Sequence, residues 1–102
     1  MSANTIFDLM PRIDALDEGL VDLLVQRFVM SREIGRLKAG SGYAPFDPVR
    51  VQSQIGRFAD RCAEAGLDRW MGQQVISVVI GQVIVERFTN LAPPAEHDRE
   101  KT

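Results

Sequence analysis

The stretch IDALDEGLVDLLVQRFVMSREIGRLKA, residues 13–39, decides the fold. Its apolar residues recur three and four positions apart, which places them on one side of an α-helix. We predict a helix from about Asp8 to Ala39, with Asp8 as N-cap and Pro11 in the first turn. The alternative is a start near Asn4 with a kink at Pro11. A helix of about 30 residues is roughly 45 Å long, so part of it is expected to pack on another molecule.

A second helix is predicted after the break at Gly40, Ser41 and Gly42. Asp47 followed by Pro48 is typical of a helix N-terminus, because Asp caps the first amides and proline has no N–H to lose. Apolar residues at helical spacing continue this helix over residues 48–64.

The third helix is predicted against its local propensity. Residues 75–85, VISVVIGQVIV, are rich in β-branched side chains, which favour strands. However, apolar and polar residues do not alternate and no turn signal interrupts the run. We therefore predict a helix capped by Asp68, from Arg69 to about Leu91. Because it is apolar on most sides, it is expected to be central and buried.

Composition excludes several classes of function. The chain has 102 residues and a net charge of −2, which predicts one small domain and argues against nucleic-acid binding. Cys62 and His97 are single, so a conventional metal site or Ser–His triad is not expected. No apolar run reaches the roughly 18 residues of a membrane span, and no secretion signal is evident. We expect a cytoplasmic protein without metal, cofactor or membrane contact.

The expected organisation is a single helical domain with two loose ends. Residues 1–7 form a lead-in, residues 8–91 form the domain, and residues 92–102 form a tail. The tail, APPAEHDREKT, is polar and interrupted by prolines, which predicts disorder.

Cations interrupt the apolar sides of the predicted helices. Arg27 and Lys38 lie about three turns apart on the first helix, and Arg50 and Arg87 are similarly placed on the other two. Burying such a charge without a partner costs several kcal/mol. These side chains either extend to water, or pair with carboxylates such as Asp47, or they line a pocket for a small dianion. Arginine suits the last interpretation because its planar fork binds carboxylates through paired hydrogen bonds.

Three segments together resemble the all-helical, type II chorismate mutase family: residues 13–39, FDPVRV at 46–51 and AGLDRWM at 65–71. The matching family patterns are I-D-x-L-D…L-x-x-L-x-x-R, E-I/V-G-x-x-K and Y/V-x-D-P-x-R-E, and the resemblance runs from about residue 9 to residue 91. It implies an all-α fold with three helices per chain, intertwined as a homodimeric bundle with two active sites. The implied reaction is the isomerisation of chorismate to prephenate, in the shikimate pathway to aromatic amino acids.

The resemblance also implies roles for the cations. Arg27 would hold a substrate carboxylate from within its own chain. Lys38 would donate to the ether oxygen of the substrate and to a carboxylate. Asp47 and Arg50 would lie near the substrate hydroxyl and the wall of the site.

Four positions depart from the family pattern. Met10 stands where the partner chain supplies an arginine, Val51 where a glutamate binds the substrate hydroxyl, and Val83 where a serine lies. Arg87 replaces the glutamine or glutamate that faces the ether oxygen; a slip of one residue would place Glu86 there. The pocket would keep its number of cations, while its hydroxyl end would become more apolar.

These departures leave the reaction open. Rearrangement of chorismate needs no nucleophile, metal or cofactor, because it occurs within one molecule and depends on positioning and cationic stabilisation. Alternatives on the same fold are an isochorismate pyruvate-lyase or an aminodeoxychorismate mutase of secondary metabolism. A dimeric homologue without activity and a helical interaction module unrelated to chorismate are the non-enzymatic alternatives.

Overall fold

The computed structural model describes residues 5–89, which form three α-helices. These are α1 (Ile6–Ser41), α2 (Pro48–Glu64) and α3 (Arg69–Thr89). The predicted all-α class is confirmed, since residues 5–89 contain no strand. The predicted tail and most of the predicted lead-in lie outside the described residues. None of the three helices combines the length and apolar character that a membrane crossing requires.

The start of α1 differs from the prediction. The amide of Asp8 donates to Thr5 Oγ1 and the amide of Thr5 donates to Asp8 Oδ2, each over 3.2 Å. Because Thr5 and Asp8 cap each other, the helix begins at Ile6, closer to the N-terminus than predicted. The predicted N-cap at Asp8 is therefore wrong. Pro11 therefore lies inside the helix rather than in its first turn. Because proline has no N–H, it removes one hydrogen bond of the helix, to the carbonyl of Phe7.

The predicted break after the first helix is confirmed. Gly42 has a φ of 81°, a left-handed conformation that side chains disfavour. The amide of Tyr43 then donates to the carbonyl of Lys38 over 3.2 Å, which closes the last turn of α1. Lys38 therefore lies in a hydrogen-bonded last turn of α1 rather than in a frayed helix end.

Both predicted caps of the later helices are also present. Asp47 caps α2, and the amide of Met71 donates to Asp68 Oδ2 over 2.8 Å at the start of α3. Between α2 and α3, Gly66 adopts a φ of 87° and the amide of Leu67 donates to a carbonyl of the last turn of α2. This glycine-based termination leaves a short connection, which favours antiparallel packing of the two helices.

Helices α2 and α3 pack on each other around a small core. Its buried residues are Ala59 and Cys62 from α2 and Gly72, Ile76 and Ile80 from α3. A methyl group built on Gly72 would lie 2.8 Å from the Cys62 sulfur, so glycine sets how closely the helices approach. Cys62, the single cysteine, is therefore a buried core residue with a free thiol.

The β-branched run of α3 is helical because one side of it is buried against α2. Ile76 and Ile80, one turn apart, supply that side. The expectation that α3 is buried on most sides is wrong for the single chain. Val78 and Val85 remain exposed on the other sides.

The described chain divides into two compact units, residues up to Glu33 and residues from Ile34 onward. Within the described residues, the first unit consists of α1 up to Glu33, and no residue anywhere along α1 is buried. Its exposed apolar side chains include Ile13, Leu16, Leu20, Leu24 and Val29. The second unit contains the last turns of α1, the linker of residues 42–47, α2 and α3.

Candidate active site

The predicted site residues are divided between the two units. Met10 and Arg27 belong to the first. The second contains the others, which are Lys38, Asp47, Arg50, Val51, Val83 and Arg87.

Arg27 is half-buried, in a helix whose side chains are otherwise mostly exposed. Ser31, one turn further along α1, is half-buried as well, and the two residues share one side of the helix. Met10, in contrast, is 56% exposed. In the first unit Arg27 is thus a half-buried cation, while Met10, which the resemblance aligns with the family's second arginine, is an exposed apolar side chain.

Lys38 is the corresponding cation of the second unit. It is half-buried in the last turn of α1, where its own carbonyl accepts the hydrogen bond from Tyr43. A cation also interacts favourably with the negative end of the helix dipole there. Within residues 5–89, neither Lys38 nor Arg27 pairs with a carboxylate. For Arg27 and Lys38, the open interpretation of pairing with a carboxylate such as Asp47 is therefore not seen among the described residues.

Asp47 is occupied by the backbone of α2. Its Oδ1 accepts hydrogen bonds from the amides of Val49 and Arg50, at 3.1 and 3.3 Å. The carboxylate therefore fixes where the linker ends and α2 begins, as an N-cap does. Arg50 follows on the exposed first turn of α2, so Asp47 also determines the position of that cation.

Arg87 connects the end of α3 to two other parts of the second unit. Its Nη1 donates to the carbonyl of Pro45 over 3.0 Å. Its side chain also lies against α1 at Gly35, where an added methyl group would be 2.7 Å from Nε and 2.9 Å from Cδ. The next residue, Phe88, faces Phe46 with ring centroids 6.5 Å apart. The family pattern E-I/V-G-x-x-K includes Gly35 as well as Lys38, but the pattern does not say what the glycine packs against. A glycine inside a strong helical pattern usually has a packing reason.

Val51 and Val83, which the resemblance aligns with polar residues of the family, are both half-buried. Val51 lies in the first turns of α2 and Val83 near the end of α3, and each is half-buried. Neither side chain can bind a hydroxyl group by hydrogen bonding. The two valines therefore differ from the family residues in hydrogen-bonding capacity as well as in identity.

A comparison with protein families matches residues 9–87 to chorismate mutase type II. Because the match covers most of the chain, the protein belongs to this family. A search of curated proteins found no match. Family membership supports a chorismate mutase-like function, and the interpretation as an unrelated helical module is wrong.

Proposed function

We propose that this protein is an isomerase that rearranges chorismate to prephenate in the cytoplasm, as part of the shikimate pathway to aromatic amino acids. One observation carries the proposal. Arg27 and Lys38, which the resemblance aligns with the two same-chain cations of the family's first helix, are half-buried, and neither pairs with a carboxylate within residues 5–89. Half-buried cations of this kind suit a small dianion such as chorismate.

The proposed reaction breaks the ether C–O bond and forms a C–C bond within one molecule. No proton or electron leaves the substrate, so the protein supplies neither a base nor a cofactor. It lowers the barrier by holding the chair-like conformer and by stabilising negative charge on the ether oxygen. Arg27 would bind a carboxylate through paired hydrogen bonds, and Lys38 would donate to the ether oxygen. Arg87 would be a second cation that donates a hydrogen bond to the ether oxygen or to a carboxylate of the substrate.

The proposal includes a homodimer. Along α1 no residue is buried, and large apolar side chains such as Leu16 and Leu20 are more than half exposed. An apolar surface of this kind marks an interaction site. A second copy of the chain, intertwined as in the family, would cover it and would bring Met10 to the position where the family's partner arginine lies.

A second candidate function is supported by Val51 and Val83. Both are half-buried and apolar. The resemblance aligns Val51 with the glutamate that binds the substrate hydroxyl and Val83 with a serine, so the hydroxyl end of the pocket would be more apolar than in the family. A substrate with a different substituent at that end of the ring is therefore favoured over chorismate by these residues. Isochorismate, with release of pyruvate, and aminodeoxychorismate, with rearrangement, are such substrates.

A side-by-side assay of the purified protein separates these reactions. It is incubated with chorismate, isochorismate and aminodeoxychorismate, and products are followed by chromatography. Prephenate formed fastest from chorismate supports the first proposal. Faster pyruvate release from isochorismate, or faster rearrangement of aminodeoxychorismate, supports the second. Inactivity on all three rejects both.

A dimeric homologue without activity is tested by binding. The Met10, Val51 and Val83 positions motivate this alternative, because each has lost a polar contact of the family site. Titration with a transition-state mimic of the chorismate rearrangement distinguishes it from an enzyme. Tight binding that Lys38→Ala abolishes excludes the inactive homologue, and absence of binding supports it.

A further inference from the structure

Gly35 occupies a position that is unfavourable for glycine by helix propensity alone. It lies well inside α1, and glycine is the poorest helix former after proline. Its backbone is not in the left-handed region, which among the described residues holds only Gly42 and Gly66. The conformation of α1 therefore does not require glycine at position 35.

The side chain of Arg87 occupies the space that this glycine leaves open. A methyl group at position 35 would lie 2.7 Å from Nε and 2.9 Å from Cδ of Arg87, so the flexible end of the arginine would have to move. At Gly19 and Gly40, also in α1, an added methyl group would meet nothing within 4 Å. Of these three glycines of α1, only Gly35 has a neighbour in the space where a side chain would be. Because glycine has no side chain, the arginine can lie directly against the helix.

Across that glycine, Arg87 reaches the linker between α1 and α2. Nη1 donates to the carbonyl of Pro45 in a partly buried hydrogen bond of 3.0 Å. Phe46, the next residue of the linker, faces Phe88, the next residue of α3. Two consecutive linker residues are therefore held by two consecutive residues of α3, immediately before the cap at Asp47.

We propose that Gly35, Arg87 and the carbonyl of Pro45 form a latch that positions the linker. Through the linker, the latch sets where Asp47 begins α2 and where Arg50 projects, relative to the last turn of α1 with Lys38. Gly35 is in this account a positioning residue. The effect on catalysis rests on the proposed chorismate rearrangement, whereas the latch itself does not.

The latch is tested by a double-mutant cycle on the full chain, with Gly40→Ala as the matched control. Gly35→Ala is expected to lower Tm by at most a few degrees, because the methyl group moves the end of Arg87 away from the carbonyl of Pro45. In an Arg87→Ala background the same change is expected to raise Tm by a few degrees, since alanine favours the helix and the clash is gone. Gly40→Ala should have the same effect on Tm in both backgrounds.

Equal effects of Gly35→Ala in the two backgrounds would overturn the latch. If Gly35→Ala alone does not fold, recovery of folding by Arg87→Ala supports the proposal and no recovery contradicts it. Hydrogen exchange gives a positional readout: amides of the linker should exchange faster in Gly35→Ala and at the wild-type rate in Gly40→Ala. Unchanged exchange in Gly35→Ala would also contradict the proposal.

Activity gives the functional readout, measured well below the Tm of each variant. Gly35→Ala is expected to lower kcat for chorismate about tenfold or more, because small displacements of the groups that position a substrate slow the chemical step. KM should change much less, because Arg27 is untouched. Gly40→Ala should leave both constants unchanged, and unchanged kcat in Gly35→Ala would reject the catalytic part. If the wild-type protein forms no prephenate, the proposed function fails, and the Tm cycle still decides the latch.

Discussion

The first unit and the α2–α3 pair are both rich in apolar side chains, yet they bury them differently. The α2–α3 pair closes its own core around Ile76 and Ile80. Among the described residues of the first unit none is fully buried, and Leu16 and Leu20 are 69% and 59% exposed. The α2–α3 pair thus has a core within one chain, whereas α1 leaves its apolar side chains uncovered. If the proposed dimer covers them, catalysis through Arg27 should depend on assembly.

The largest expected effect comes from a charge on the exposed apolar side of α1. If a second copy covers this side, Leu20→Glu buries an unpaired carboxylate, which costs about 3–5 kcal/mol. The dimer should then dissociate with a Kd raised by about two to three orders of magnitude, as measured by analytical ultracentrifugation. Gln26→Glu adds the same charge to another, exposed side of α1 and should leave Kd nearly unchanged. Wild-type association of Leu20→Glu would show that α1 is not the interface.

A substitution that creates a cavity in the α2–α3 core tests whether this helix pair is stabilised by a core of its own. Ile80 is 4% exposed, so Ile80→Ala should lower the free energy of unfolding by about 3 kcal/mol. Val49, on the first turn of α2, is 79% exposed, and Val49→Ala should cost less than about 0.5 kcal/mol. Urea unfolding at one fixed protein concentration measures both. Equal losses would mean that the α2–α3 pair has no core of its own.

Substitution of Arg27 by lysine distinguishes a specific contact with a substrate carboxylate from a general effect of positive charge. Arg27→Lys keeps the charge and loses the planar fork, so kcat/KM for chorismate should fall about 10- to 100-fold, mainly through KM. Arg57, exposed on α2, provides the control. Arg57→Lys should change kcat/KM less than about twofold. Steady-state kinetics at one ionic strength make the comparison, and an Arg27→Lys enzyme with wild-type KM would contradict the assigned role.

The smallest expected effects come from the two aspartate caps. Asp47→Ala and Asp68→Ala should each lower the free energy of unfolding by about 1 kcal/mol, and Asp47→Asn should be nearly neutral because asparagine caps equally well. Only Asp47→Ala should also reduce kcat, since only this cap ends the linker. If Asp47→Asn lost as much activity as Asp47→Ala, the carboxylate charge would act on the substrate rather than on the helix.

Local signals predicted most of the fold. Asp47-Pro48 and Asp68 marked two helix starts correctly, because capping depends only on neighbouring residues. The start of α1 was misplaced, since Thr5 and Asp8 cap each other and α1 tolerates Pro11 inside it. The period of the apolar residues, rather than β-propensity, correctly decided α3.

The sequence predicts which residues form the candidate site, but it does not predict the contacts that these residues make. The spacing of Arg27 and Lys38 along an apolar side of α1 singles out both cations from the sequence alone. The bond from Arg87 to Pro45 and its passage over Gly35 join residues that are distant in the chain, and no local pattern encodes such a contact. The available signals were the glycine inside a helix and its place in the family pattern E-I/V-G-x-x-K, and neither names its neighbour.

The central claim is that the cations of α1 catalyse a rearrangement, and prephenate formation by wild type and Lys38→Ala tests it most directly. Both proteins are incubated with chorismate at equal concentration, and Arg61→Ala, which removes an exposed cation of α2, is the control. We predict prephenate from wild type and Arg61→Ala, and a rate at least about 10²–10³-fold lower for folded, dimeric Lys38→Ala. No prephenate above the uncatalysed rate from wild type, or equal rates from wild type and Lys38→Ala, would contradict the claim.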